Sequence, residues 1–524
     1  MLFLLSAHAA LFDDVTATTL GTTAEWSNKV VLDDVDGDGD LDVVLANGGD
    51  YNSPGTPEPN RVFLNDGGAF TELALPGGPD LSRSVKVGDV DGDGVPELFV
   101  SGVYETPSRL FTWTGAGFTE VSERLPSTPH SFGDLELGDV DDDGDLDVVL
   151  ADWGPGDPLA NPGGRTRLWR NDGGTFTDVT DAAMPDIAVR MSWDLELADI
   201  DNDFDLDVLV ASKGSSGSFL FLNDGTGTFT DASDRLPQFT NNYELAPMDV
   251  DGDGWLDLVT INDGNQLREH LFLNDGTGAF TNGNGSAWPQ SANLGEDDNV
   301  VEFLDLDDDG DPDFVIGSLS GPDRALINDA GVLSLSAEPV FAGGPTPGTL
   351  SIAFGDLNGD GRADAAMAQG EAASADKLFF GADIPVDTHG PVIAVESLTS
   401  FPARLHARVH DRTTPVRPAD LRVEVAIVAV DARTPVPMTW TGGQLWSADV
   451  PAVAAGEGLE LCATDRAGNT TCIPVLEADS GDTATPPCCK GDRSCGCATP
   501  RGPSLLGAVL ALGLVRRARS ARLR

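Results

Sequence analysis

The sequence predicts an all-β protein, a seven-bladed β-propeller followed by a small β-sandwich. Three observations carry this. An acidic nonapeptide recurs seven times at blade-sized intervals of 50 to 60 residues. A turn motif between apolar, β-rich runs follows each copy. The 61 glycines and 34 prolines, with few long helical periodicities, point to short strands joined by turns. At 524 residues and 40% hydrophobic content the chain can bury a large core.

The acidic repeat begins at Asp34, Asp89, Asp139, Asp199, Asp249, Asp305 and Asp356. In order it reads DVDGDGDLD, DVDGDGVPE, DVDDDGDLD, DIDNDFDLD, DVDGDGWLD, DLDDDGDPD and DLNGDGRAD. These copies hold 33 of the 86 acidic side chains, so the formal net charge of -55 is largely a product of one motif. So negative a balance argues against nucleic acid or an anionic membrane surface as partner of the protein's body and favours cations.

The second repeat appears as RVFLNDGGAFTE at Arg61, RLFTWTGAGFTE at Arg109, RLWRNDGGTFTD at Arg167, FLFLNDGTGTFTD at Phe219, HLFLNDGTGAFT at His270, RALINDAGVL at Arg324 and KLFFGAD at Lys377. Asn-Asp-Gly between apolar runs is a hairpin signal, because Gly and Asn tolerate positive φ. Each unit therefore reads as four strands: one ending at the acidic loop, the VVLA-type run, the LFLN run and the FTDVT run. The last unit stops after Leu378-Phe379-Phe380, whereas the chain opens with Leu11-Phe12-Asp13-Asp14-Val15-Thr16, a fourth strand with none before it. The N-terminal segment is thus expected to complete the last blade and close a ring over residues 11–385.

Oxygen ligands at loop positions 1, 3 and 5, a backbone carbonyl at 7 and a carboxylate at 9 suit a hard cation that takes six to eight oxygens, with Gly at 6 for the turn. Calcium is the expected occupant. An EF-hand would need Glu at position 12, where these copies have Leu45, Val100, Leu150, Val210, Thr260, Ile316 and Met367. The pattern resembles the FG-GAP/VCBS repeat family, which includes the propeller of integrin α chains and many secreted bacterial proteins. Over residues 11–385 the resemblance implies up to seven calcium ions and the following side-chain ligands. They are Asp34, Asp36, Asp38 and Asp42; Asp89, Asp91, Asp93 and Glu97; Asp139, Asp141, Asp143 and Asp147; Asp199, Asp201, Asp203 and Asp207; Asp249, Asp251, Asp253 and Asp257; Asp305, Asp307, Asp309 and Asp313; and Asp356, Asn358, Asp360 and Asp364. Two copies depart from the pattern. Phe204 replaces the turn Gly and strains its loop, and Asn358 removes a charge. The competing reading, solvated acidic turns, does not account for seven in-phase copies.

Crowded carboxylates favour folding only when neutralised, so the ions are expected to be structural. Recognition then falls to the opposite face, where connections 47–60, 152–166 and 263–269 vary in length and content. Tyr51, Tyr104, Trp153 and Tyr243 near them are candidates for stacking on sugars or peptides, with loop packing as the alternative.

After Pro385 the repeats stop. Residues 386–476 alternate as in a small β-sandwich, and the ATDRAGN hairpin resembles bacterial immunoglobulin-like modules. Cys462 and Cys472 flank that hairpin; in an oxidising compartment they pair across it, the alternative being two free thiols. Residues 477–497 are a linker with cysteines at 488, 489, 495 and 497, a spacing that fits zinc motifs poorly. Residues 498–524 place an apolar run before RRARSARLR, and this order of Cys motif, apolar stretch and Arg cluster resembles the MYXO-CTERM sorting signal. That resemblance implies a membrane-held tail and a sorting protease. Residues 1–10 read as a short signal peptide. The location expected from all of this is secreted, cell-surface or outer-envelope in a bacterium.

No GxSxG elbow, HExxH helix or phosphate-cradling loop occurs, and no catalytic residue is assigned. The expected function is calcium-dependent binding or adhesion to an extracellular protein or glycan. The alternative is a secreted polysaccharide lyase or hydrolase on the same scaffold.

Overall fold

The computed structural model describes residues 10–476 except 50–52, 128–129, 157–159, 215–216, 263, 265–266, 320, 344–345, 347, 371–372, 397–402, 412–418, 430–431 and 455. The expected signal peptide up to residue 9, Tyr51, the four-cysteine motif and the apolar tail lie outside the described residues.

The protein is all-β, made of small antiparallel sheets. Among the described residues, seven four-stranded sets follow the repeats. Their first strands are Ser27–Asp33, Ser82–Gly88, Phe132–Gly138, Ser192–Ala198, Asn242–Met248, Asp298–Leu304 and Thr349–Gly355. Each runs into an acidic loop. Second strands begin at the loop's ninth residue, as in Asp42–Asn47 and Asp147–Asp152, and all seven are buried at every position. That is why their sequences are continuously apolar rather than alternating. Fourth strands such as Ala69–Ala74 are mostly exposed and alternate weakly.

The seventh set takes its fourth strand from the other end of the chain. Phe12–Asp14 pairs antiparallel with Lys377–Gly381, Phe12 opposite Gly381. Phe12 is fully buried, with ring centroids 5.3 Å from Phe341 and 5.7 Å from Phe354. First strands of successive sets pack side by side, and the seventh packs against the first.

Between the first strands lies a cavity of about 280 Å³. Lys29 and Lys86 line it together with Asp134, Glu136, Asp194, Glu196, Glu244 and Glu302. Burial, reinforced by Asp134, pushes Asp194 up to about 8, and burial with neighbouring carboxylates puts Glu196 and Glu244 well above the usual range. Burial alone would lower Lys29, but the surrounding carboxylates, Asp134 first, hold it well above its ordinary value. Arg83 closes one end: its Nη2 lies 3.2 Å from the Tyr243 hydroxyl, and its guanidinium sits 4.9 Å from the Trp193 ring centroid and 5.7 Å from that of Trp153.

This arrangement corrects the expectation for two aromatics. Trp153 is 1% exposed and donates from Nε1 to Ser192 O at 2.8 Å, and Tyr243 is 7% exposed, so both are core residues rather than stacking platforms. Tyr104 packs against the same cluster.

Residues 392–476 form two four-stranded layers. One contains Val392–Val395, Ala403–His410, Leu445–Val450 and Thr439–Gly442; the other contains Ala432–Pro437, Arg422–Ala429, Gly458–Thr464 and Thr470–Leu476. Leu405, Val409, Val425, Trp446 and Leu461 fill the space between them. Cys462 and Cys472 face each other across paired strands and are disulfide-bonded. The first layer continues the third four-stranded set through the pair Gly138 and Gly442.

Candidate metal loops

Each acidic loop folds around its first residue. In loop one, Gly37 N and Asp38 N donate to Asp34 Oδ1 at 2.8 and 3.1 Å, and Gly39 N donates to Oδ2 at 3.0 Å. Loops two and seven repeat this around Asp89 and Asp356. The wrap requires left-handed backbone at positions 4 and 6, which explains the glycines: Gly37 has φ 80° and Gly39 φ 100°. Phe204, in place of the position-6 glycine, is held at φ 68°, the strain that its sequence implies.

The ninth residue is fully buried in all seven loops. It ties the loop to the hairpin behind it. Asp42 accepts from Val35 N at 3.0 Å and from Asn65 N at 2.8 Å, and Asp147, Asp207, Asp257, Asp313 and Asp364 accept the equivalent pairs. Glu97, the one glutamate, accepts from Val90 N at 3.1 Å. Desolvation pushes Asp42, Glu97, Asp257 and Asp364 up to about 7 and Asp147 and Asp313 to about 8, with Asp207 well above the usual range.

In three loops, three of the four predicted ligands converge. Ligand oxygens of Asp34, Asp36 and Asp38 lie within 4.8 Å of one another, as do those of Asp89, Asp91 and Glu97 and those of Asp139, Asp141 and Asp147. Position 3 is held from outside: Arg124, Arg170 and Arg235 pair with Oδ2 of Asp91, Asp141 and Asp201 at 2.7, 2.8 and 3.3 Å. Oδ1 of each of these aspartates is buried without a hydrogen-bond partner, as is Asp199 Oδ1 at position 1 of loop four. Unsatisfied buried carboxylate oxygens are costly, and a cation is the ligand that satisfies several at once. The donor set therefore fits a hard divalent ion.

In loop seven Asn358 replaces the position-3 carboxylate, and its Oδ1 accepts from Asp360 N at 2.9 Å, so the amide keeps the loop's shape.

The turn motif does more than reverse the chain. Its asparagine is not the left-handed residue: Gly67 and Gly68, or Gly173 and Gly174, take positive φ instead. The buried amide bridges sheets. Asn171 donates to Leu146 O in its own loop at 3.0 Å and to Val90 O of the preceding loop at 2.7 Å. Asn65, Asn223, Asn274 and Asn328 make the same pair of bonds, Asn65 reaching Leu357 in the seventh set. The turn's last glycine rests on position 3 of that preceding loop, where a Cβ on Gly174 would lie 2.7 Å from Asp91 Cβ.

Residues 34–100, 157–210, 199–260, 249–316 and 305–367 match the FG-GAP-like repeat, together more than half of the chain, and the protein belongs to that family. Four of these matches run from position 1 of one acidic loop to position 12 of the next. No curated protein matches the chain. Among solved structures it is similar to an Agrocybe aegerita lectin described as recognising non-reducing terminal N-acetylglucosamine, with 16% identity, 60% of this chain and 80% of the lectin covered, and a TM-score of 0.38. It is also similar to the V. cholerae biofilm matrix protein Bap1, with 12% identity, 89% and 76% covered, and a TM-score of 0.35. Among the described residues, no helix is long and apolar enough to cross a membrane.

Proposed function

We propose that this chain is a calcium-stabilised binding or adhesion protein of the bacterial cell exterior. Its repeats form a closed seven-bladed propeller, its acidic loops hold up to seven calcium ions, and the following domain is an immunoglobulin-like sandwich. The observation that carries the metal reading is the set of buried, unpartnered oxygens on Asp91, Asp141, Asp199 and Asp201. Calcium supplies positive charge there. The chain's own residues position the carboxylates, through Arg124, Arg170 and Arg235 on position 3 and backbone N–H groups on positions 1 and 9.

The C-terminal segment bears on the acidic-loop side, through His389 just before the sandwich and Arg404 and Arg408 within it. Recognition of a protein or glycan is therefore assigned to the opposite side, where the long connections between second and third strands lie. The Cys462–Cys472 disulfide supports an oxidising, extracytoplasmic location. To the C-terminal tail we assign the role of a cell-surface sorting signal.

Calorimetric calcium titration with thermal unfolding tests the metal reading. Each ion at 100 times its Kd adds about 2.7 kcal/mol, so chelation should lower Tm markedly; an unchanged midpoint refutes it. Glycan arrays and a turnover assay on retained polysaccharides test the rest. Retention without product is expected, and product formation would show an enzyme instead.

A further inference from the structure

Acidic loops three, four and six differ from the rest at their fourth residue. Loops one, two, five and seven have Gly37, Gly92, Gly252 and Gly359 there, with φ between 73° and 80°. Loops three, four and six have Asp142, Asn202 and Asp308 at φ 58°, 63° and 57°. Asn and Asp are the non-glycine residues that most readily reach this conformation, and all three side chains put it to the same use. They hold the C-terminal segment. Asp142 Oδ1 lies 2.5 Å from Arg404 Nε and 3.2 Å from His406 Nε2. Asn202 Oδ1 accepts from Arg408 Nη1 at 2.8 Å. Asp308 accepts from Thr388 N at 3.0 Å and Thr388 Oγ1 at 2.6 Å, with His389 Nδ1 at 2.9 Å.

The two arginines also reach the first-position carboxylates. Arg404 Nη2 donates to Asp139 Oδ2 at 3.1 Å, and Arg408 Nη1 lies 3.3 Å from Asp199 Oδ2. In six loops the N–H of the sixth residue donates to that same oxygen. In loop four the sixth residue is Phe204, whose N–H also reaches the Asp199 carboxylate, and Arg408, 5% exposed, adds its own bond from Nη1 to Oδ2.

Building on the calcium reading above, we infer that Arg408 and Arg404 are positioning residues for the cations of loops four and three, so that ion binding in those loops and docking of the sandwich stabilise each other. A partner that fixes a ligating carboxylate from behind strengthens the site, and linkage makes the effect reciprocal. Charge permits both cations. Loop four brings Asp199, Asp201, Asp203, Asp205 and Asp207 against Arg408, Arg235 and one divalent ion, so with all five carboxylates ionised the loop's charge exceeds that of the three cations together.

The test is calcium titration of the full chain and of Arg408→Gln, with Arg422→Gln, whose side chain is 80% exposed, as control. Arg408→Gln should weaken the loop-four site about 10- to 100-fold, weaken loop five less, because Arg408 Nη2 also bonds Gly254 O there, and leave the other five and the control unchanged. Arg408→Lys, which keeps the charge and guards against misfolding but cannot bond Asn202 through Nη1 and Gly254 O through Nη2 at once, should fall between. Calcium should also slow amide exchange in Ala403–His410 of the parent, and do so less in Arg404→Gln/Arg408→Gln. Equal or tighter calcium binding in both Arg408 variants overturns the linkage alone. A parent chain that takes up no calcium overturns the metal reading itself.

Discussion

Replacing Asn171 by alanine removes one bridge between neighbouring sheets and nothing else of comparable size. The side chain is 1% exposed. Its amide donates to Val90 O at 2.7 Å and Leu146 O at 3.0 Å, and its Oδ1 accepts from Gly174 N at 2.8 Å. At about 1 kcal/mol net per bond the loss is about 3 kcal/mol. Unfolding entropy of about 2.1 cal/mol/K per residue over residues 11–385 gives about 0.8 kcal/mol/K, so Tm should fall by about 4 °C. Differential scanning calorimetry at saturating calcium measures this, with Thr119→Ala on an exposed strand as control. Asn171→Asp should fall further, because it sets an anion against two carbonyl oxygens. A shift below about 1 °C for Asn171→Ala would refute the bridging role.

Three further outcomes are expected. Asp194 binds its proton more tightly folded, at about 8, than unfolded, so the folded state holds more protons between about pH 4 and 8 and stability falls as pH rises through that window. The slope is about 1.4 kcal/mol per pH unit for such a group, and Asp194→Asn should flatten the Tm profile measured at saturating calcium. Gly174→Ala forces a Cβ to 2.7 Å from Asp91 Cβ at φ 85° and should lower both Tm and calcium uptake in loop two, read by titration. Cys462→Ser opens a loop closed over a sequence separation of 10 and should cost the sandwich about 3 kcal/mol in denaturant unfolding under oxidising conditions, a difference that vanishes on adding reductant.

The repeat made the strand order legible. The acidic loop marks where one strand ends and the next begins, and the orphan opening strand at Phe12 found its partner at Gly381 as the pattern required. The acidic loops between first and second strands were legible too, since a nonapeptide pattern needs no long-range information. What the sequence hid was every interaction between units. Asn171 looks like a turn residue because periodicity describes a chain one unit at a time, whereas its amide spends one of its hydrogen bonds on the neighbouring sheet. Trp153 was a stacking candidate because it lies near a variable connection, yet the next set's Ser192 captures its indole. One signal of the same kind was present: Asp142, Asn202 and Asp308 stand where four sister loops have glycine. A residue that accepts left-handed strain in a repeat that could have used glycine invites the question of what its side chain holds.

That question joins the three roles of the acidic loop. Its carboxylates face one another, at positions 1, 3 and 9 in loops two and three and at 1, 3 and 5 in loop one, and repel unless neutralised. Its position-3 Cβ is the surface on which the next hairpin's glycine rests, and its second carbonyl receives the next hairpin's asparagine. A loop that opens for want of a cation therefore disturbs the seat of the adjacent sheet as well as its own turn. Because the seventh loop seats the first hairpin through Leu357 and Asn65, the dependence runs round the whole set of sheets and not only along the chain. The bridge is absent where Trp113 and Gly381 stand in place of that asparagine, in the second and seventh sets, and these two junctions lean on other contacts: Arg109 with Asp80 in the connection from the first set, and Phe12 N with Val340 O, 3.0 Å, in the connection from the sixth. Loss of calcium should therefore open the protein first at those two junctions, and hydrogen exchange after chelation, compared strand by strand, would show protection failing there before it fails at the five bridged ones.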